Sequence, residues 1–418
     1  LRTKFLRLVW QSEHQGDHRY HLRDAGPALS VCVTLIESNG FMMTDTVFRK
    51  EILMSHLFDR LGLATLCIIA SWTLVPRAEL DAQIIANNPY HADYNWAKMP
   101  DGMTIGVASG VFPDPDGEHL WVLSRCGANH CALVPDFDPI LKFDMDGNLV
   151  DSFGRGIFSW PHGFFLDHEG YLWVTEGAPV GDARAAEGMA RGMGHQVFKL
   201  NQSGDVVMTL GEAGVPGDDE THFNGPSDVM VAPNGDIWVT DGHRGGNNRL
   251  VKFSPDGEFL LQVGGGIESV SGDPGKFNDP HGISMDLEGR VVVADRGNNR
   301  VQIFDQEGGL LKVWTQLGRP STVFVDRNNM LYAGDGMSNE QWNPGWERGI
   351  HIAPATSGWE TAFIPDREVP IGTGVEFLGV DFEGNIYSGE VGRQRLVKYI
   401  PVRPTITSDP ALERNAGR

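Results

Sequence analysis

Two histidines and one glutamate in this 418-residue chain are of metal-holding types and stand in matching contexts: His162 and His281, each in a Pro-His-Gly triplet, and Glu376. Eight residues beyond them lie Gly170, Gly289 and Gly384, and the same offset joins Ser109 to Gly117, Ser227 to Gly235 and Ser321 to Asn329. Fourteen residues beyond the same references stand Glu176, Asp241, Asp295, Asp335 and Glu390; the first copy carries one extra residue, so Ser124 takes that place there. In order, the six equivalent positions read Ser109, His162, Ser227, His281, Ser321, Glu376, with metal-ligand types in every second copy. Two imidazoles and a carboxylate are a donor set used by catalytic zinc, which keeps a position open for water or substrate. Read blandly, each histidine merely packs or hydrogen-bonds at the start of a strand; the alternation with serine favours the metal.

The elements that must position these residues come from the repeat itself. The stretch from Phe223 to Phe304 states a pattern and starts over at Phe277: Phe-Asn-x-Pro, then a β-rich run, an aspartate and Asn-Arg. The references lie 40 to 65 residues apart. Units of about 40 to 50 residues made of short strands and turns are β-propeller blades. The expected fold is all-β, a six-bladed propeller over residues 83–400, with 83–105 adding an outer strand to the last blade so that no sheet edge is left to close the ring. Residues 385–400 read as the last strand, 401–418 as a loose tail, and 178–194 and 337–348 as long loops suited to substrate contacts. Each innermost strand lines the channel, so the six references form a ring and its three ligand types sit about 120° apart.

Further candidates lie on the same rim. Arg296 follows Asp295, and Arg125 holds the matching place in the opposite blade, so both could reach a carboxylate or oxyanion, or could be structural. Arg249 and Arg300, after Asn248 and Asn299, read as structural. His243, behind Asp241, could take a proton near neutral pH or be an exposed loop histidine. His195 and His222 read as surface residues.

A formal charge of −21 lacks the basic footprint that nucleic acid or an anionic membrane requires. Residues 54–82 carry the order of a secretory signal, a charged start, a short apolar run from Leu61 to Val75 and small residues, with an ordinary buried helix as the alternative. Residues 1–53 show no sustained period and read as upstream or disordered sequence. A secreted or periplasmic location follows as an expectation. Cys32 and Cys67 fall in that leader region, and Cys126 and Cys131 are either paired, as export allows, or a free reduced pair.

The segments WVTEG, GVPGDDETHFNGPSDV, NGDIWVTDG, FNDPHGI and VADRGNNRVQ, with the two Pro-His-Gly triplets, resemble the catalytic domain of peptidyl-α-hydroxyglycine α-amidating lyases and their NHL-repeat relatives, across about residues 100–400. The resemblance implies an NHL-type propeller that holds zinc through three histidines on alternate blades and cleaves the C–N bond of an α-hydroxyglycine, releasing an amide and glyoxylate. Two of those histidines match His162 and His281, and the family's arginines match Arg125 and Arg296. The third ligand falls at Glu376, where the family's Pro-His-Asp is replaced by Val375-Glu376-Phe377. That keeps a zinc-competent donor but replaces the calcium-binding aspartate with Phe377, which argues against calcium. The family's catalytic tyrosine falls at His243, and a pocket methionine at Gly374. The implied substrate is a small molecule or peptide end. A metal-dependent hydrolase of an ester, lactone or amide, and a non-enzymatic interaction scaffold, are the competing expectations.

Overall fold

Short apolar runs broken by turns at an eight-residue offset can form only short antiparallel strands, and the turn residue explains the offset. In the computed structural model Gly117, Gly170, Gly235, Gly289 and Gly384 all have φ between 74° and 89°, and Asn329 has φ 59°. Each donates its N–H to the carbonyl three residues earlier, as Gly170 does to Asp167 (3.0 Å). This left-handed conformation is open to glycine and tolerated by asparagine, which is why Asn329 can stand in the glycine position. The structure describes residues 88–402 apart from 133, 135, 178–190, 266–271 and 369–371. The proposed leader at 54–82, the stretch before it, Cys32, Cys67, most of the 178–194 loop and the tail beyond 402 lie outside the described residues.

Six four-stranded antiparallel sheets follow one another along the chain. After β1 (Tyr90–Asp93), the first blade is β2 (Ala108–Pro113), β3 (His119–Ser124), β4 (Ile140–Asp144) and β5 (Leu149–Phe153). The second is β6 (Pro161–Leu166), β7 (Leu172–Glu176), β8 (Gln196–Leu200) and β9 (Val206–Leu210), and the third β10 (Pro226–Val231), β11 (Ile237–Asp241), β12 (Arg249–Phe253) and β13 (Phe259–Gly264). The fourth is β14 (Pro280–Met285), β15 (Val291–Asp295), β16 (Arg300–Phe304) and β17 (Leu310–Trp314), and the fifth β18 (Thr322–Val325), β19 (Met330–Asp335), β20 (Gly349–Pro354) and β21 (Ala362–Pro365). The sixth takes β22 (Val375–Val380), β23 (Ile386–Glu390) and β24 (Arg395–Pro401) from the end of the chain and β1 as its outer strand, with Ala92 opposite Tyr399. Residues 385–400 are thus two strands rather than one, because the turn at 391–394 reverses the chain.

The middle strands are buried on both faces, because neighbouring blades cover each side, whereas an outer strand such as β13 alternates. Trp121, Trp173 and Trp238 at the matching point of the second strand are fully buried, and Trp173 Nε1 donates to Asp167 Oδ2 in its own blade's turn (2.8 Å). The acids that end these strands hold the loops above. Asp241 takes Arg249 Nε (2.9 Å) and Asp295 takes Arg300 Nε (2.6 Å), while both guanidinium groups reach backbone carbonyls, so these two arginines are structural. Among the described residues no helix is long and apolar enough to cross a membrane.

Candidate metal centre

His162, Ser227, His281, Ser109 and Glu376 are each the second residue of their blade's innermost strand, and Ser321 immediately precedes β18. All six are buried. The serines and histidines are interlocked. Ser109 Oγ donates to the Pro161 carbonyl (2.9 Å) and Ser227 Oγ to the Pro280 carbonyl (2.7 Å), fixing the prolines ahead of the two histidines. In return His162 Nδ1 lies 2.7 Å from the Ser227 carbonyl and His281 Nδ1 2.6 Å from the Ser321 carbonyl. A carbonyl only accepts, so each Nδ1 carries the hydrogen and each Nε2 keeps its lone pair. The glycines of Pro-His-Gly permit this approach: a Cβ on Gly163 would meet Asp228 Cα at 2.5 Å, and one on Gly282 would meet Thr322 Cα at 2.6 Å.

The two Nε2 atoms have no hydrogen-bond partner among the described residues, although both are buried. Glu376 Oε1 stands 3.5 Å from that of His162 and 3.4 Å from that of His281. Buried ring nitrogens that are oriented from behind, converge on a carboxylate and lack partners are what a metal ion would satisfy, so the residues fit one. Burial pushes both histidines' pKa values down, with His243 and Arg296 adding to this, so the ligating neutral form is favoured. Burial pushes Glu376 up, but His281, His162 and Arg296 together hold its carboxyl well below the usual range.

His243 joins the cluster: one of its ring nitrogens lies within 4.8 Å of one ring nitrogen each of His162 and His281, and its ring stacks on Trp160. It is buried rather than an exposed loop histidine. Its Nδ1 lies 3.0 Å from Arg296 Nη2 and 3.5 Å from Asp279 Oδ1. A guanidinium only donates, so Nδ1 is the acceptor and Nε2 bears the hydrogen, which distinguishes His243 from the two lone-pair donors, although the three histidines together form a group that could hold a metal. Burial lowers the His243 pKa to about 3.

Arg125 and Arg296 line one cleft of about 500 Å³ with Glu376 and His243. Arg125 donates to the Pro161 carbonyl and to Asn129 Oδ1 and lies 4.2 Å above the Trp160 ring. Arg296 makes a bidentate pair with Asp279 and sits 3.8 Å from Glu376 Oε2. Cys126 and Cys131 form a disulfide across the loop that carries Arg125 and Asn129. Met337 and Trp342, from the 337–348 loop, also line the cleft, as does Arg319, whose guanidinium lies 5.4 Å from the Trp342 ring.

The sequence reading passed over Trp160, Asp279 and Arg319. Trp160 and Asp279 occupy the same place, two before the ligand histidine, and that comparison was available; Arg319 follows no repeat position. His195 is a correction: it is fully buried, with its N–H on the Glu176 carbonyl (3.0 Å), because the chain returning from the 178–194 loop is pinned there beside β7. His222 keeps its place near the surface, bonded to Asp219 and Glu212.

Fold and site together define a six-bladed propeller with a buried histidine–carboxylate centre capable of holding a metal. The NHL-repeat profile matches residues 223–253 and 277–304. Human NHL repeat-containing protein 3 is 31% identical over 330 residues, covering 76% of this chain and 86% of that protein. The chain belongs to the NHL-repeat family. It is also similar to the "Probable peptidyl-alpha-hydroxyglycine alpha-amidating lyase" of Caenorhabditis elegans, at 40% identity over 215 residues, covering 48% of this chain and 56% of that protein. Peptidyl-glycine alpha-amidating monooxygenase B of Xenopus laevis is 30% identical over 362 residues, covering 79% of this chain but only 38% of that much longer protein.

Proposed function

We propose that this propeller is an exported, zinc-dependent enzyme of the amidating-lyase type, which cleaves a C–N bond in a small or chain-end substrate that carries a carboxylate. The observation that carries this reading is the pair of buried, partnerless Nε2 atoms on His162 and His281, aimed at Glu376 while carbonyls hold their Nδ1 sides. Zinc held by these three residues would supply Lewis acidity toward a substrate oxygen. Arg125 and Arg296, on one cleft, bind and orient the substrate carboxylate. His243, neutral and with its hydrogen on Nε2, relays the proton: as the C–N bond breaks it passes that hydrogen to the departing nitrogen and takes up the substrate hydroxyl's proton in its place, so the residue ends unchanged. The products are an amide and an α-keto acid such as glyoxylate.

The test is metal analysis of the purified chain together with glyoxylate release from an N-acyl α-hydroxyglycine. About one zinc per chain and glyoxylate production, both lost in His162→Ala, support the reading. Zinc without glyoxylate overturns the lyase. Because Glu376 and His243 stand where the resembling lyases have histidine and tyrosine, ester or lactone turnover lost in Glu376→Ala would then assign a hydrolase. No stoichiometric zinc, with a melting temperature unmoved in His162→Ala, would leave an interaction scaffold.

A further inference from the structure

The channel does not continue as one chamber past the histidines. Phe377, directly after Glu376, lays its ring against His281 (centroids 5.3 Å apart, 28° between planes) and His162 (5.5 Å). Beyond it, toward the far ends of the same innermost strands, lies a cavity of about 550 Å³ to which all six blades contribute and of which Phe377 forms part of the wall. That volume lies inside the range of about 300–1,000 Å³ typical of small-molecule sites.

The wall is mainly apolar. Phe112, Phe165, Phe324 and Met285 line the cavity and are only half-buried, so their free faces look into it rather than into packed core. Phe112 meets Phe165 and Phe324 edge-on, at 5.0 and 6.0 Å. The two lining carboxyls are already engaged. Asp228 accepts the N–H groups of Val229 and Ile283, and Asp286 is paired with Arg290 Nε (2.6 Å) and capped by its own turn. An anion would find no counter-charge there, and a cation would meet only Asp228, whose neutral form burial favours, and Asp286, already paired with Arg290, whereas flat apolar rings would meet aromatic edges and a thioether at favourable geometry. The cavity opens to solvent past Asn234 and Leu287, both exposed.

We infer that this cavity is a second binding site, separate from the histidine–glutamate centre, that takes an uncharged aromatic or fused-ring small molecule. The inference rests on the cavity wall alone and stands whether or not the chain is a lyase.

The probe for it is N-phenyl-1-naphthylamine, titrated against the full chain and followed by its fluorescence gain. A saturable isotherm with one site per chain is expected. Met285→Trp, which fills the cavity, should weaken binding at least tenfold, while Glu376→Gln, across the Phe377 ring, leaves it within twofold. If Met285→Trp does not fold, Val325→Trp on another half-buried part of the wall serves the same purpose. An isotherm that does not saturate, or one that folded cavity-filling variants leave unchanged, overturns the site. Loss of probe binding in Glu376→Gln would place it in the upper cleft instead.

Discussion

At the scale of residues, Arg296 is the hinge of the upper cleft, because Asp279, His243 and Glu376 all face its guanidinium. Burial pushes Asp279 up, but Arg296 and His243 hold its carboxyl well below the usual range, so it is charged and the pair is a true ion pair. Asp279→Asn keeps the shape and removes the charge. Breaking a buried pair costs about 3 kcal/mol. Urea denaturation should show a loss of that order, and any turnover should fall through KM as Arg296 loses its orientation. Glu176 offers the opposite titration. Burial raises its pKa to about 7 despite the Ser159 and Trp160 N–H groups on its Oε1. Its neutral form is favoured in the fold, so its contribution is full below the ordinary value near 4.5 and is lost as pH rises through about 7. Glu176→Gln should flatten the stability profile between about pH 5 and 8, and exceed the parent at pH 8 by up to about 3 kcal/mol. A parent profile already flat across that range would contradict the buried neutral carboxyl. Of this neighbourhood, the sequence made His162, His281, Glu376, Arg125, Arg296 and His243 legible, because repeat offsets place them on one rim. The place of Asp279, two before its histidine as Trp160 is, could be read from the repeat, but its role could not, because it depends on contact with His243 of the neighbouring blade. Arg319 was not legible, because it follows no repeat position.

At the scale of elements, the repeat was readable because its turns need a left-handed residue at a fixed distance from the strand start, a constraint that Asn329 satisfies as well as glycine. The long loops within blades, β3–β4 and β7–β8, obey no such constraint, which is why the burial of His195 escaped and why the pairing of Cys126 with Cys131 stayed open. That disulfide belongs to the loop that aims Arg125. Asn129, inside it, accepts Arg125 Nη1 and gives its carbonyl to Trp160 Nε1 (3.0 Å), and Cys131 N–H is tied to the Ser159 carbonyl (2.8 Å). Replacing both cysteines by serine should cost about 2 kcal/mol for so short a closed loop. The larger consequence is for affinity, because Arg125 loses its brace. Substrate KM should rise several-fold with kcat little changed, and equal effects on both would point to a wider collapse of the cleft.

At the scale of the whole molecule, the ring is closed by one short segment that holds the last blade and the first at once. β1 pairs with β24, and three residues beyond its end Trp96 buries its ring with Tyr387 of the sixth blade (4.9 Å) and Phe143 of the first (5.9 Å). Its Nε1 donates to the Met145 carbonyl (3.2 Å), and Lys98 N–H to the Gly147 carbonyl (2.8 Å), so the segment is bonded to the β4–β5 turn as well. A propeller's blades contact mainly their neighbours, so loosening this closure should release stability locally before globally. Trp96→Ala removes the shared ring and should cost about 3–5 kcal/mol. Hydrogen exchange should lose protection first in β2 to β5 and β22 to β24, with β10 to β17 on the far side holding theirs. Uniform loss across all six blades would mean that the ring unfolds as a single cooperative unit and that this segment is one contact among many. The same gradient bears on the upper centre. Glu376 belongs to the sixth blade, beside the closure, whereas His162 and His281 belong to the second and fourth. A chain loosened at Trp96 should therefore lose its carboxylate donor before either imidazole. Zinc titration should then show affinity falling toward that of Glu376→Ala while the fold, read by far-ultraviolet circular dichroism, is still intact.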